Sequence, residues 1–167
     1  MTERTVTHAS FVIERTYGAA LARVFNAFAD AAAKARWFVG PDEWERSEFE
    51  LDFRVGGREV NRGGPPGGPV HVYEAHYHDI VPNERIITTY EMYMDETRSS
   101  ISIATIELEP EGDGTTLRLT EQGAFLDGTD SVASREQGTR ELLDALGESL
   151  EGEATPAGGV GSVARAN

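Results

Sequence analysis

Cysteine is absent from this 167-residue chain. Its absence excludes disulfide bonds, thiolate metal sites and a cysteine nucleophile. The sequence also lacks any apolar run of eighteen or more residues, which argues against a membrane span. The N-terminus lacks the charged-then-apolar pattern of a secretory signal. We therefore expect a cytoplasmic protein.

Positive charge is scarce: the chain has 29 acidic residues and only 15 lysines and arginines, which gives a formal net charge of −14 at pH 7. Such a surface repels polyanions, which argues against nucleic acid and anionic membranes as partners. Phosphate-cradling glycine loops, Ser–His–Asp arrangements and paired catalytic carboxylates leave no recognisable motif. With 39% hydrophobic and 26% charged residues, the chain fits one soluble domain with a sizeable core.

Hydrophobic periodicity predicts the order of the elements. A strand near residues 8–15 leads into an amphipathic helix at residues 19–29 and a short helix at 31–37, which Asp30 can cap. Six strands joined mostly by tight turns follow, at residues 47–53, through Val60, 70–81, 85–94, 99–109 and 115–122. The last predicted element is a long helix that begins near Asp130, with Asp130, Ser131 and Ser134 as plausible N-caps.

This order predicts an α+β fold in which a curved antiparallel seven-stranded sheet wraps around the long C-terminal helix. A single domain is expected over residues 1–151. Residues 152–167 are predicted to form a disordered tail, because they lack periodicity and apolar content. The segment Arg62–Pro69, RGGPPGGP, is predicted to be a mobile hairpin tip or lid.

The inner stripe of the long helix changes character along its length. Toward its C-terminus the stripe is pure leucine, whereas toward its N-terminus it carries Thr139 and Arg135. A helix that lies over a partly polar cavity has this pattern, and an arginine that snorkels from a core-facing stripe is the alternative. If Leu117 and Leu119 point inward, Glu121 does too. Glu121 can then form an ion pair with Arg135, or Arg135 can meet an anionic or carbonyl-bearing ligand.

The strand at residues 70–81 carries two histidines near a carboxylate. If Ile80 faces the core, alternation puts Val72, Glu74, His76 and His78 on the inner face as well. Two histidines and a glutamate can bind a divalent metal or place a general base near neutral pH. Structural, hydrogen-bonded histidines or the opposite strand phase are the alternatives. We expect no resident metal and no cofactor.

The predicted ligand contacts combine the aromatic residues of the helix-to-strand connection with positions on the strands and the long helix. They are Trp37, Phe38, Trp44, Phe53, Val72, Glu74, His76, His78, Tyr90, Met92, Glu121, Arg135, Thr139, Leu142 and Leu143. The catalytic candidates among them are His76, His78 and Glu121.

Five stretches carry a resemblance to a known family: FVIERTYGAALARVFNAFAD, KARWFVGP, FELDFRVGGRE, HDIVPNERIITTYE and EGDGTTLRLTEQGAF. In this order the chain resembles the SRPBCC superfamily, the helix-grip group of START domains, polyketide cyclases and the birch pollen allergen. It is most similar to the branch named after the C-terminal domain of the activator of heat shock protein 90 ATPase. One departure is Gly138-Thr139, where many members carry Gly-Trp.

The resemblance implies a cavity that holds a small, mostly apolar or aromatic molecule between the sheet and the C-terminal helix. Cyclase- or hydrolase-like chemistry with a pocket histidine is one alternative function. A domain that activates a chaperone ATPase by direct interaction is the other. A homodimer is a further expectation from the sequence, because Ile101 and Ile103 lie opposite in phase to Ile106 and Leu108, so their strand can bury both faces.

Overall fold

The computed structural model describes residues 3–154. Ten elements follow one another in these residues: β1 (Val6–Tyr17), α1 (Leu21–Ala29), α2 (Ala31–Ala35), β2 (Glu45–Leu51), β3 (Arg58–Gly64), β4 (His71–Val81), β5 (Arg85–Met94), β6 (Thr97–Glu111), β7 (Gly114–Leu126) and α3 (Val132–Ala154).

The strands form one seven-stranded antiparallel sheet in the order β1-β7-β6-β5-β4-β3-β2. Consecutive strands are neighbours except at β1, which closes against β7, because tight turns join the strands from β2 onward. The three helices lie on one face of the sheet, which we call the inner face. The predicted α+β class and its seven-stranded sheet are confirmed.

Local signals place the helices as the sequence predicts. The Asp30 side chain accepts a hydrogen bond from the Ala33 amide at 2.9 Å and so caps α2. For α3, the residue that caps is Ser131, whose Oγ accepts from the Ser134 amide at 3.0 Å. Val24 and Phe28 belong to the apolar stripe of α1, and both are buried.

Two predicted loops turn out to be partly strand. Strand β3 continues to Gly64, and Gly63 and Gly64 pair with Arg46 and Glu45 of β2. A Cβ at Gly64 would lie 2.1 Å from the Pro69 carbonyl oxygen, so this segment needs glycine where two backbones meet. Strand β7 likewise continues to Leu126 instead of ending near 122. The predicted tail at 152–167 lies outside the described residues, except that 152–154 continue α3.

The apolar core lies between the helices and the inner face of the sheet, and it extends from β1 and β7 to β4. It includes Ile13, Leu117, Val24, Leu143 and Leu146, whose exposed fractions are 2% or less. The backbone of α3 lies closest to β1 and α1. Its C-terminal half buries Leu143, Leu146 and Leu150 in this core. Its N-terminal half packs Val132 and Leu142 against the core and also reaches the sheet through Arg135.

Candidate functional site

Strand β4 contains a β-bulge that reverses its side-chain phase. The pairing with β5 shifts between Tyr77 and Asp79, which leaves His78 as the extra residue. Beyond the bulge, Ile80 packs against the core as predicted. Before the bulge, alternation puts Tyr73 and Tyr77 on the inner face instead of the histidines.

The four β4 residues predicted to face the cavity therefore lie on the outer face: Val72, Glu74, His76 and His78. The prediction of their orientation is wrong. His76 and His78 are exposed, and the His78 ring forms a hydrogen bond with the Thr89 hydroxyl at 2.9 Å. Glu74 lies 3.8 Å from an Arg62 nitrogen. The β4 histidine that faces inward is His71, not His76 or His78.

A buried ion pair that the sequence analysis missed lies between α2 and β3. Lys34 Nζ is 2.7 Å from Glu59 Oε1, and the Tyr77 hydroxyl donates to the same oxygen at 2.6 Å. Glu59 is 0% exposed and Lys34 is 5% exposed. Burial, followed by the charge of Glu59, raises the pKa of Tyr77, so the phenol stays protonated and donates. Lys34 is the chain's one lysine, and its place between alanines in AAAKA was the available signal.

The predicted pair between Glu121 and Arg135 is present and belongs to a larger network. Arg135 Nη1 lies 3.5 Å from Glu121 Oε2 and 3.1 Å from the Tyr90 hydroxyl, which itself donates to Glu121 Oε2 at 2.6 Å. Arg135 Nη2 donates to Ser100 Oγ and to Asp130 Oδ2, both at 2.7 Å. Burial raises the pKa of Glu121, and the bond from Tyr90 and the charge of Arg135 oppose that shift. Arg135 is thus held by protein groups.

Tyr73 lies between the two networks. Its ring centroid is 4.9 Å from that of Phe38 and 4.9 Å from that of Tyr90. Burial raises the pKa of Tyr73 well above 10.0, and the charges of Glu59 and Glu121 add to the shift, so its hydroxyl is a hydrogen-bond donor at neutral pH. Part of its surface remains accessible.

One end of this region is formed by a stacked pair of rings. Trp44 lies on His71 with centroids 4.3 Å apart and an interplanar angle of 23°. Burial lowers the pKa of His71, while the charges of Asp95 and Asp130 act in the opposite direction. A neutral imidazole therefore faces inward near the N-terminus of α3. This is the inward histidine that the assumed strand phase had placed outside.

Several residues on and beneath the N-terminal half of α3 keep part of their surface accessible. Thr139 and Leu142 of the inner helical face remain partly accessible, as does Ile106 on the inner face of β6. The Thr139 hydroxyl donates to the Arg135 carbonyl oxygen at 2.8 Å and so is turned along the helix. We use the name inner cleft for the region lined by Phe38, Tyr73, Tyr90, Met92, Thr139 and Leu142.

The structure divides the predicted contacts into three groups. At or next to the inner cleft lie Phe38, Trp44, Tyr90, Met92, Glu121, Arg135, Thr139 and Leu142. Trp37 and Leu143 belong to the core cluster, and Phe53 packs against it, as Phe38 and Leu142 also do. On the outer face lie the four residues of β4. Trp37, for example, donates from Nε1 to the Ala27 carbonyl oxygen at 3.0 Å and is 3% exposed, so it has a packing role.

Residues 3–154 contain no cluster of three or more histidine, aspartate or glutamate side chains arranged to hold a metal ion. Within the same residues, no helix combines the length and apolar character needed to span a membrane.

Comparison with known proteins places this architecture in a family. The model of the family called Activator of Hsp90 ATPase homolog 1-like protein matches residues 19–151. The chain belongs to this family. The resemblance drawn from its sequence is confirmed.

Solved structures of family-like proteins agree with the assignment. A protein from Rhizobium leguminosarum is 47% identical, with a TM-score of 0.86 over 91% of this chain and 100% of that one. The Mll3558 protein from Rhizobium loti is 50% identical, with a TM-score of 0.81 over 87% of this chain and 99% of its own. An AHSA1-like protein from Aeromonas hydrophila shares the fold at 19% identity, with a TM-score of 0.65 over 86% of this chain and 93% of its own. A search of curated proteins finds no match.

Proposed function

We propose that this family member binds a small, mostly apolar or aromatic molecule in the inner cleft. The observation that carries the proposal is the contrast between the two halves of α3. Its C-terminal half is sealed into core, whereas residues beneath its N-terminal half remain partly accessible and include aromatic rings in edge-on and tilted contact. Pockets with mostly aromatic walls and a few placed polar groups are typical of small-molecule sites.

The polar groups around the cleft support binding without a cofactor. Arg135 and Lys34 are both engaged by carboxylates, so the charged groups beside the cleft are already paired. A ligand gains contact area from Phe38 and Tyr90 without having to displace either pair. Ring-to-ring contacts of this kind contribute about 0.5–1.5 kcal/mol each beyond their buried area.

A thermal-shift screen of neutral aromatic compounds tests the proposal. A compound present at about 100 times its Kd stabilises the folded protein by about 2.7 kcal/mol, which raises the Tm by roughly 5–10 °C for a chain of this size. Thr139→Trp is the matched variant, because an indole at this position fills the cleft. The proposal fails if no compound raises the Tm, or if the same compounds raise it equally in Thr139→Trp.

The enzymatic alternative required a histidine in the pocket. His76 and His78 face away from the cleft, so neither can act as a base on a molecule bound there. His71 faces inward, but it stacks on Trp44 at one end of the cleft. We therefore propose binding rather than catalysis.

The outer face of β6 supports a proposed homodimer. Ile101 and Ile103 are 40% and 42% exposed there. Because the net charge of −14 makes two copies repel each other, an uncharged patch is the surface on which they can associate at the lowest electrostatic cost. Light scattering after size exclusion tests this proposal, and an Ile103→Glu variant should be monomeric.

A chaperone-directed role follows from the family name alone. Residence in the cytoplasm is a separate proposal, which the absence of cysteine and of a secretory signal pattern supports. Retention of the chain on immobilised chaperone, at low and at moderate salt, tests that role. No retention in either condition would remove it.

A further inference from the structure

The tyrosines of this chain differ in how their hydroxyl groups are used. Four of the five donate a hydrogen bond: Tyr17 to the Leu143 carbonyl oxygen at 2.7 Å, and Tyr77, Tyr90 and Tyr93 to glutamates at 2.6 Å each. The Tyr73 hydroxyl has no hydrogen-bond partner among residues 3–154. Tyr73 is therefore the exception, and it is the tyrosine that lies in the middle of the inner cleft.

The carboxylates whose charges act on Tyr73, Glu59 and Glu121, bind its neighbours. Tyr77 and Lys34 share Glu59 Oε1, and Tyr90 and Arg135 share Glu121 Oε2. The Tyr73 hydroxyl is therefore a hydrogen-bond donor that a ligand acceptor can use.

The Tyr73 hydroxyl is also reachable. In residues 3–154, the unpaired side-chain polar atoms that are sealed from solvent are Glu59 Oε2 and Ser102 Oγ, and the Tyr73 hydroxyl is not one of them. Tyr73 keeps part of its surface accessible, and its ring centroid lies 4.9 Å from those of Phe38 and Tyr90. An acceptor on a molecule bound beside this group of rings can meet the hydroxyl directly.

We propose, on the basis of the proposed binding function, that the ligand is a neutral aromatic carbonyl compound whose oxygen accepts a hydrogen bond from the Tyr73 hydroxyl. Its aromatic part packs beside the rings of Phe38, Tyr73 and Tyr90. The bond satisfies the one tyrosine hydroxyl that residues 3–154 leave without a partner.

Electrostatics excludes the anionic counterpart of this ligand. Glu59 and Glu121 are both buried on the inner face, with exposed fractions of 0% and 3%. The cations beside them, Lys34 and Arg135, already bind these carboxylates. A ligand carboxylate would enter a buried region without a cation to pair with, at a desolvation cost of several kcal/mol. The raised pKa of Tyr73 is consistent with the same electrostatic environment, because burial and both glutamates disfavour the phenolate.

Three related dyes test the inference: prodan, which is a neutral naphthyl ketone, the same naphthalene with a methylene group in place of the carbonyl, and the corresponding naphthoate. Tyr73→Phe deletes the hydroxyl and keeps the ring. We expect this variant to bind prodan about three- to tenfold more weakly, because one neutral hydrogen bond is lost. The carbonyl-free dye should change by less than about twofold, and wild-type protein should bind the naphthoate at least about tenfold more weakly than prodan.

Tyr93→Phe is the control, because it deletes a hydroxyl from the outer face that is bound to Glu91. It should leave prodan affinity unchanged. The inference alone is overturned if the dyes bind wild-type protein but Tyr73→Phe affects the ketone and the carbonyl-free dye equally, or neither of them, or if the naphthoate binds as tightly as prodan. If no dye binds wild-type protein, the proposed function fails and the inference fails with it.

Discussion

Replacing Lys34 by methionine should destabilise this protein strongly. The substitution keeps the length of the side chain and removes the charge that lies 2.7 Å from Glu59, in a pair whose side chains are 6% and 0% exposed. Glu59 would then keep one partner, the Tyr77 hydroxyl, and its Oε2 already has none. Breaking a buried ion pair by removing one member costs about 3–5 kcal/mol, because the other charge stays buried without compensation. We expect a loss of that size in the free energy of unfolding.

Urea denaturation measures this loss, provided that the slope with denaturant stays the same in both proteins. The matched control is Arg118→Met, which breaks a pair with Glu14 of similar length, 2.8 Å, whose side chains are 50% and 56% exposed. Exposed pairs contribute less than about 1 kcal/mol, so this variant should resemble wild-type protein.

A double variant separates charge burial from packing. Adding Glu59→Gln to Lys34→Met removes the uncompensated charge and keeps an acceptor for Tyr77. About 2 kcal/mol or more of the lost stability should return. The reasoning is refuted if Lys34→Met costs no more than Arg118→Met, or if the double variant is no more stable than Lys34→Met alone.

Three further predictions follow from the same contacts. Because Lys34 is 5% exposed, an acylating reagent should modify it in urea but not in the native protein. Peptide mapping by mass spectrometry measures this difference, and equal modification of Lys34 in both conditions would contradict its burial. The pKa of His71 is lowered below 6.5 by burial, so the folded state binds fewer protons than the unfolded state as pH falls through 6.5, and stability is lost in that window. An NMR titration of the His71 imidazole should give a midpoint below 6.5, and a midpoint above 6.5 would be inconsistent with its burial. When the pH is lowered from about 7 to about 5, the free energy of unfolding should fall less in His71→Gln than in wild-type protein. His76→Ala and His78→Ala should leave prodan affinity within about twofold of wild type, because a change of that size is less than one hydrogen bond; a tenfold loss would return these histidines to the site.

The elements of the fold could be predicted because each has a strong local signal. Phe25 and Phe28 mark the inner face of α1, and Asp30 marks the start of α2. The alternation of Leu117 and Leu119 correctly turned Glu121 inward, toward Arg135. In each case residues close in the sequence carry the information.

The rest of the site depends on contacts that local patterns do not reveal. One extra residue, His78, reverses the phase of β4, and both phases of HVYEAHYHDIV contain polar and apolar residues, so alternation could not reveal the bulge. Lys34 and Glu59 are 25 residues apart, and their pairing becomes visible only when β3 lies beside α2. Gly63 and Gly64 read as loop residues although backbone proximity in a strand pair requires them.

The central claim is that the space between the inner face of the sheet and the N-terminal half of α3 is open to a small molecule. The most direct test compares prodan affinity and stability in wild-type protein and in Thr139→Trp. We expect the indole to fill the cleft, so that prodan affinity falls at least about tenfold while the free energy of unfolding changes by less than about 1 kcal/mol, below the usual penalty of overpacking. Unchanged prodan affinity, or a loss of stability of about 1–3 kcal/mol as in an overpacked core, would contradict the claim.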